Sequence, residues 1–208
     1  MAELRSILNP VTGERFTEVV RGVDTNGDYV EGRLSLPEGA HPPGIHRHPH
    51  QDEMVTVVTG RIRARVGRHE REYGPGESAF LPRGEWHDFW VVSDGPAETI
   101  GRATPALGVE LLLPTLAGLA EEGKTDKRGR PRPLQGAVIG AFFNEVAQFK
   151  TPPPAVQKVL LPLLAALGRR RGYRPYYDRH FQAGQIEEIL AHWAAHRAWD
   201  DYKPPPGA

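Results

Sequence analysis

The fold of this protein is decided by residues 46–60, HRHPHQDEMVTVVTG. His46 and His48 are one residue apart, so on an extended backbone both imidazoles point to the same side and can reach one ion. Pro49 cannot continue a central strand, so the chain must bend before Glu53 begins the next apolar run. We expect this bend to turn the carboxylate of Glu53 toward the two histidines.

A further candidate ligand lies much later in the chain. Residues 82–85, PRGE, predict a turn before a strand that begins near His87. We expect the His87 ring to face the same cavity as the other three side chains. Three neutral imidazoles and one carboxylate suit Fe(II), Mn(II), Ni(II), Cu(II) or Zn(II), and they leave coordination positions open for water, dioxygen or a chelating substrate.

These residues resemble the two sequence motifs of the cupin superfamily. The first motif is matched by His46, His48, Glu53 and Gly60, and the second by Gly76, Pro82, Gly84 and His87. Ala40 stands where the family usually has glycine, and Val91 where it usually has asparagine, but neither is a ligand position. The resemblance implies a small jelly-roll-like antiparallel β-barrel around residues 39–91. It also implies one divalent metal ion, held by His46, His48, Glu53 and His87.

The first half of the chain contains short segments of alternating polarity, separated by turn residues, as is typical of antiparallel strands. We predict strands at Phe16–Val20, Tyr29–Leu36, Met54–Val58, Arg61–Val66, His69–Tyr73, Ser78–Leu81, Asp88–Val92 and Glu98–Thr104. In the fourth of these, Ile62, Ala64 and Val66 alternate with arginines. This alternation predicts one buried face and one solvated basic face.

The hydrophobic period changes near Thr104, after which apolar residues recur every three or four positions. We predict helices at Val109–Glu121, Leu134–Phe149, Ala155–Leu167 and Gln182–Arg197. Pro162 predicts a kink or two short helices in the third. The fold class is therefore mainly β with an α extension: a barrel over residues 1–104, a helical extension over 105–199 and a disordered tail over 200–208.

Composition excludes several classes of function. Lys and Arg (26) balance Asp and Glu (26), so no net charge attracts nucleic acid. The absence of cysteine excludes thiolate metal sites and disulfides. Residues 1–10 lack the apolar run of a signal peptide, and the apolar stretch 156–167 is too short to span a bilayer. We expect a cytoplasmic protein.

Several other side chains have simpler interpretations. We expect His41 and His50 to be solvated loop residues, and Trp86, Phe89 and Trp90 to fill the barrel core rather than line a substrate pocket. The arginine row at 61–65 is interpreted as a guard against edge-to-edge aggregation rather than as an anion site. The apolar run 156–167, followed by three arginines, suits a helix packed on its own domain or on a partner subunit better than a membrane helix.

Metal binding does not by itself define the reaction, because one barrel fold hosts many activities. Our first hypothesis is a dioxygenase that acts on a small oxygenated or aromatic substrate, with Glu53 as the catalytic proton acceptor. The second is a non-catalytic protein for small-ligand binding or assembly. The third is a metal-dependent isomerase of a sugar or sugar phosphate. We expect a small-molecule ligand, no nucleic acid and no membrane as partners, and a homodimer formed through sheet edges.

Overall fold

The computed structural model describes residues 5–42 and 44–196. Its strands are β1 Ser6–Leu8, β2 Arg15–Val20, β3 Val30–Leu36, β4 His46–Arg47, β5 Asp52–Thr59, β6 Ile62–Val66, β7 His69–Tyr73, β8 Ser78–Leu81, β9 His87–Val91, β10 Ala97–Thr104 and β11 Gln148–Phe149. The helices are α1 Val109–Glu121, α2 Pro133–Phe142, α3 Pro154–Arg170 and α4 Gln185–His196, with short 3₁₀ turns at Gly22–Thr25 and Asp178–His180. The predicted tail 200–208 lies outside the described residues.

Two antiparallel sheets form the barrel. One has the strand order β1-β2-β3-β10-β5-β8 and the other β11-β4-β9-β6-β7. In strands such as β5, β6 and β8, alternate residues point inward, and Val55, Val57, Ile62 and Leu81 are almost completely buried between the sheets. The predicted mainly β fold with a helical extension is confirmed.

A second core joins the helices. It is built from Leu107, Leu111, Leu112, Leu119, Ile139, Phe143, Val146, Ala147, Ile186, Ile189 and Trp193. The two parts are also joined through backbone, since β11 pairs with β4 at the edge of the second sheet. The division at residue 104 stays a proposal, although β10 ends at Thr104.

The predicted helix Leu134–Phe149 is wrong in its second half. Helix α2 ends at Phe142, and the chain then turns so that Phe143 and Val146 reach the helical core. The last two residues of the predicted helix are strand β11 instead. Tertiary pairing with β4 outweighs the local helical period here, as is common at short elements.

Of the two alternatives predicted at Pro162, two short helices are wrong, because α3 is a single helix from Pro154 to Arg170. Proline removes the backbone donor that would bond to the carbonyl of Lys158. Both residues are exposed, so water can hydrate that carbonyl. No helix of the described part of the chain is long and apolar enough to cross a membrane.

Candidate metal centre

The four predicted ligands come together inside the barrel. His46 of β4 lies directly opposite His87 of β9 in the register of the second sheet. Glu53, near the start of β5, reaches the histidines from the first sheet. His48 follows β4 by one residue and is buried, as are His46 and His87. The bend at residues 49–51 thus joins two ligands on one sheet to a third on the other.

One potential ligand atom from each of these side chains lies within 4.8 Å of all the others. His46 Nε2 is 3.2 Å from His48 Nε2. Glu53 Oε2 is 3.2 Å from His48 Nε2 and 3.5 Å from His87 Nε2. A cluster of this size can surround a single ion at the bond lengths of about 2.0–2.2 Å that transition metals make with nitrogen and oxygen.

Each imidazole is held from behind by a backbone carbonyl. His46 Nδ1 is 2.9 Å from Gly44 O, His48 Nδ1 is 2.7 Å from Val146 O, and His87 Nδ1 is 3.0 Å from Glu85 O. A carbonyl can only accept, so Nδ1 carries the proton in all three rings. Each Nε2 of a neutral ring therefore directs a lone pair into the cluster, as in metal-ligating histidines.

Burial makes the cluster selective for cations. Burial lowers the pKa of His46 to about 3, with further lowering by His48 and His87, so its imidazole is neutral at physiological pH. Burial acts to raise the pKa of Glu53, but the close approach of His48 and His87 outweighs it and lowers that pKa, which holds the carboxyl ionised. Burial also acts to lower the pKa of His48, and Glu53 outweighs it and raises that pKa. The negative charge of Glu53 that favours a proton on His48 also favours a metal ion beside it. A proton and a metal ion therefore compete for His48.

Glu53 Oε2 and His87 Nε2 are both buried, yet neither makes a hydrogen bond of normal geometry. Buried polar groups are almost always paired, and an unpaired one costs about 1–3 kcal/mol. Coordination to an ion would satisfy both atoms at once. The donor set therefore fits a divalent transition metal.

A cavity of ≈ 70 Å³ adjoins Glu53. Its walls come from strands β2, β3, β5 and β10 and from helix α1, which covers the barrel at this end. The lining residues are Phe16, Val30, Gly32, Leu34, Glu53, Gly101, Arg102, Ala103, Val109, Glu110 and Leu113. Most of them are apolar, so the carboxylate of Glu53 meets a largely apolar surface on this side.

Sequence reasoning missed Glu110, which lines this cavity from the first turn of α1. Its Oε1 accepts a hydrogen bond of 3.0 Å from the Gly22 backbone, and its Oε2 is buried without a hydrogen bond. Burial raises the pKa of Glu110 to about 7. The available signal was a single acidic residue inside the apolar run 109–120.

Of the five side chains predicted to be loop or core residues, three follow the prediction and two do not. His41 and His50 are exposed, as predicted, although His41 Nε2 lies 2.9 Å from Asp88 Oδ2. Phe89 is buried in the barrel core, which confirms its prediction. Trp86 and Trp90 are only partly buried and lie beneath arginines on the outer surface, so the core prediction is wrong for both.

The arginine row of β6 faces outward, but it is not a free basic surface. Arg63 pairs with Glu72 of β7 at 2.5 Å, and Arg65 pairs with the buried Asp88 of β9 at 2.6 Å. Neighbouring strands thus neutralise the row. The inward partners behave as predicted, with Ile62 and Ala64 buried in the barrel core and Val66 packed against it.

Comparison with known proteins agrees with the geometry. The family described as "Cupin domain" matches residues 32–100, a range that contains all four clustered ligands. A barrel of two antiparallel sheets with this motif pair defines a cupin. Residues 32–100 of this chain therefore form a cupin domain.

Several solved structures are similar to part of this chain. The cupin domain of Cnp3 from Schizosaccharomyces pombe is 14% identical with a TM-score of 0.40, over 44% of this chain and 61% of that chain, so less than two thirds of that relative is spanned. KdgF from Halomonas sp. is 17% identical with a TM-score of 0.44, over 52% and 91%. A cupin-superfamily sugar phosphate isomerase from Silicibacter pomeroyi is 23% identical with a TM-score of 0.43, over 49% and 71%. No curated protein matches the chain.

Proposed function

We propose that this protein is a mononuclear metal-dependent dioxygenase that acts on a small oxygenated molecule. The ion would be held by His46, His48, Glu53 and His87, and the substrate would lie in the adjoining cavity. The observation that carries the proposal is the convergence of four oriented ligand atoms beside a mostly apolar cavity. Apolar walls beside a metal favour the exclusion of water once a substrate fills the cavity, which limits side reactions of reactive species.

The donor set narrows the metal. Nitrogen and oxygen ligands without thiolate suit Fe, Mn, Ni, Cu or Zn and disfavour Cu(I). Bound here, a redox-active ion would supply the one-electron chemistry that dioxygen requires, and it would polarise substrate oxygens. We therefore propose one such ion per chain, with iron or copper as the ions that match the reaction.

The cavity limits the substrate. Apolar cavities of about 150 Å³ accept benzene, so a cavity of ≈ 70 Å³ suits a smaller molecule. Two adjacent oxygen atoms would let the molecule chelate the ion, and a short apolar chain would match Phe16 and Leu34. The size of the cavity thus favours the oxygenated branch of our first hypothesis over the aromatic branch.

Two carboxyl groups can handle protons at this cavity. Glu53 is held ionised and can accept a proton from a substrate hydroxyl or an activated C–H group. Burial raises the pKa of Glu110 to about 7, so this carboxyl, whose Oε2 lies 3.5 Å from His192 Nε2, can hold a proton at the edge of the cavity. Groups whose pKa values are moved in opposite directions in one site are typical of acid–base pairs.

The isomerase hypothesis receives less support from the cavity. A phosphate would need a cationic side chain, and Arg102 is the only Lys or Arg among the lining residues. Its guanidinium is already bound to Glu31 at 2.6 Å and lies over the ring of Tyr29. A sugar phosphate would therefore have to break this ion pair to be bound.

Elemental analysis of the full chain is the first test, with the result expressed as moles of metal per mole of protein. We expect close to one equivalent in the native chain, a large loss in His87→Ala and no loss in His50→Ala. The His50 variant is the matched control, because it removes an exposed imidazole from the same loop. Equal occupancy in His87→Ala and the native chain would remove His87 from the site.

Oxygen uptake with short diketones, 2-oxo acids and 2-hydroxy acids tests the reaction. We expect turnover that Glu53→Gln abolishes more completely than it abolishes metal binding. Thermal stabilisation by one of these compounds without oxygen uptake would instead identify a non-catalytic binding protein. Full activity in Glu53→Gln would reject its role as proton acceptor.

A further inference from the structure

Helix α3 has a second apolar face that nothing in its own chain covers in the described structure. One face packs on α2, where Leu161 approaches Gly140 and Gly168 lies against Val138. The opposite face exposes large apolar side chains, each between 38% and 64% accessible: Val156, Val159, Leu160, Leu163, Leu164 and Leu167. Monomeric soluble proteins seldom expose a contiguous apolar surface of this kind without a partner.

The spacing of these residues is symmetric. Successive members of this set are three, one, three, one and three residues apart. The spacing is therefore the same whether it is followed from the N-terminal or the C-terminal end of the helix. If two copies of α3 pair antiparallel about a two-fold axis between positions 161 and 162, Val156 of one copy lies opposite Leu167 of the other. Val159 then meets Leu164, and Leu160 meets Leu163. A self-complementary surface is what an isologous dimer requires.

Charge favours the antiparallel arrangement. The segment 146–177 contains no Asp or Glu, and residues 169–171 are all arginine. In a parallel pair, the arginines of both copies would meet at one end and repel. In the antiparallel pair, each run lies opposite residues 152–154 of the other copy, which are all proline. The helix dipoles are also opposed, which is favourable.

We propose that α3 is the dimer interface of this protein and pairs antiparallel with α3 of a second copy. At their exposures, the apolar side chains present roughly 500 Å² per copy, so a pair buries roughly 1,000 Å², the size at which specific interfaces begin. Contact between the copies removes from water the leucine and valine surface that α2 leaves uncovered.

An anionic lipid surface fits the same face less well. The exposed face is aliphatic, and α3 contains no tryptophan or phenylalanine to anchor at an interface. Its arginines lie at one end rather than along both edges of the apolar face. Lys158 lies on the side of the helix nearer α2.

Sedimentation velocity on the full chain, over a range of concentrations, tests the proposal. We expect a dimer for the native chain and for Lys158→Glu, and a monomer for Leu163→Glu. Both variants place a carboxylate on an exposed position of α3, Leu163→Glu on the apolar face and Lys158→Glu on the side nearer α2. Matching far-UV circular dichroism and thermal midpoints confirm that each variant folds. A monomeric native chain at 100 µM or a Leu163→Glu dimer overturns the proposal.

Cysteine cross-linking tests the orientation, because the native chain has no cysteine to interfere. A disulfide needs Cα atoms within about 7 Å. In the antiparallel pair, the two copies of position 156 are about 16 Å apart, whereas 156 of one copy faces 167 of the other. We expect an oxidised dimer from a mixture of Val156→Cys and Leu167→Cys chains and none from either alone. Cross-linking of Val156→Cys alone overturns the antiparallel geometry.

Flotation with vesicles of phosphatidylglycerol and phosphatidylcholine tests the lipid alternative. We expect the native chain to stay with the free protein at both compositions. Flotation with anionic vesicles that Leu163→Glu abolishes, by a chain that is monomeric in solution, would replace the second copy with a lipid surface.

Discussion

His48 is oriented by Val146, whose carbonyl oxygen lies 2.7 Å from His48 Nδ1 across 98 positions of sequence. The helical half of the chain therefore completes the candidate metal centre of the barrel. Strand β11 keeps Val146 in place, because it pairs with β4 and because Gln148 Oε1 accepts bonds of 3.0 and 2.8 Å from Arg47. The extension thus contributes to the site as well as covering the barrel.

We predict that Gln148→Ala weakens metal binding by about tenfold, since partners that orient a ligating histidine typically contribute 10–100-fold in affinity. Competition titration with a chromogenic chelator measures the effect. Gln182→Ala, which removes an exposed amide outside this contact, serves as the control. Unchanged affinity in Gln148→Ala would show that Val146 is held in place without the contact between Gln148 and Arg47.

Glu110 makes the stability of the protein depend on pH. Its pKa is about 7 in the folded chain and about 4.5 when the chain is unfolded. Between these values the unfolded state ionises first, so stability falls as pH rises from about 4.5 to about 7. The shift corresponds to about 3 kcal/mol of free energy of unfolding.

We expect that Glu110→Gln does not show this fall in stability as the pH rises. Relative to the native chain, the variant should gain up to about 3 kcal/mol in free energy of unfolding between pH 4.5 and pH 8. Urea denaturation of metal-free protein at both pH values measures it. Glu121→Gln, at the exposed end of the same helix, should change the difference by less than about 0.5 kcal/mol. If Glu110→Gln gained as much free energy of unfolding at pH 4.5 as at pH 8, the pH dependence could not be assigned to Glu110.

Gln51 joins the loop before β5 to the segment that enters the helical half. Its side chain is fully buried, and Nε2 donates bonds of 2.8 and 3.0 Å to the carbonyls of Pro105 and Ala106. We predict that Gln51→Ala lowers the free energy of unfolding by about 3 kcal/mol, because it leaves two carbonyls unpaired in the interior. The neighbouring exposed His50→Ala should cost less than about 0.5 kcal/mol. Equal urea midpoints for the two variants would reject this role.

Two glycines that line the cavity give a matched comparison. A Cβ at Gly32 would lie 1.9 Å from a ring carbon of Phe16, whereas at Gly101 the nearest atoms are 4.0 Å away. We therefore expect Gly32→Ala to push the Phe16 ring aside and destabilise the fold by about 1–3 kcal/mol. Gly101→Ala should be tolerated within about 1 kcal/mol. Thermal denaturation of both variants decides the point, and equal midpoints would contradict it.

Strand prediction succeeded wherever alternation was long enough to be seen. The predicted strands all occur, with ends that shift by one or two residues. The strands β1, β4 and β11 were missed. They are two or three residues long, and their hydrogen bonds depend on partners distant in sequence.

The candidate ligands were predictable because their geometry is largely local. His46 and His48 share a face through strand period alone, and a proline-driven bend brings Glu53 near them. Glu110 and Val146 were not predictable in the same way. Their positions follow from how α1 and the turn after α2 pack on the barrel.

The sequence by itself determined the strand and helix periods and the absence of thiolate chemistry, and the spacing of its two motifs identified the four candidate ligands. The periods, and the shared face of His46 and His48, depend only on neighbours a few residues apart. Only the tertiary structure decided which carbonyl orients His48, how small the cavity beside Glu53 is and which face of α3 remains exposed. These features arise from close packing between elements far apart in the chain. Local propensity and hydrophobic period carry no information about such contacts.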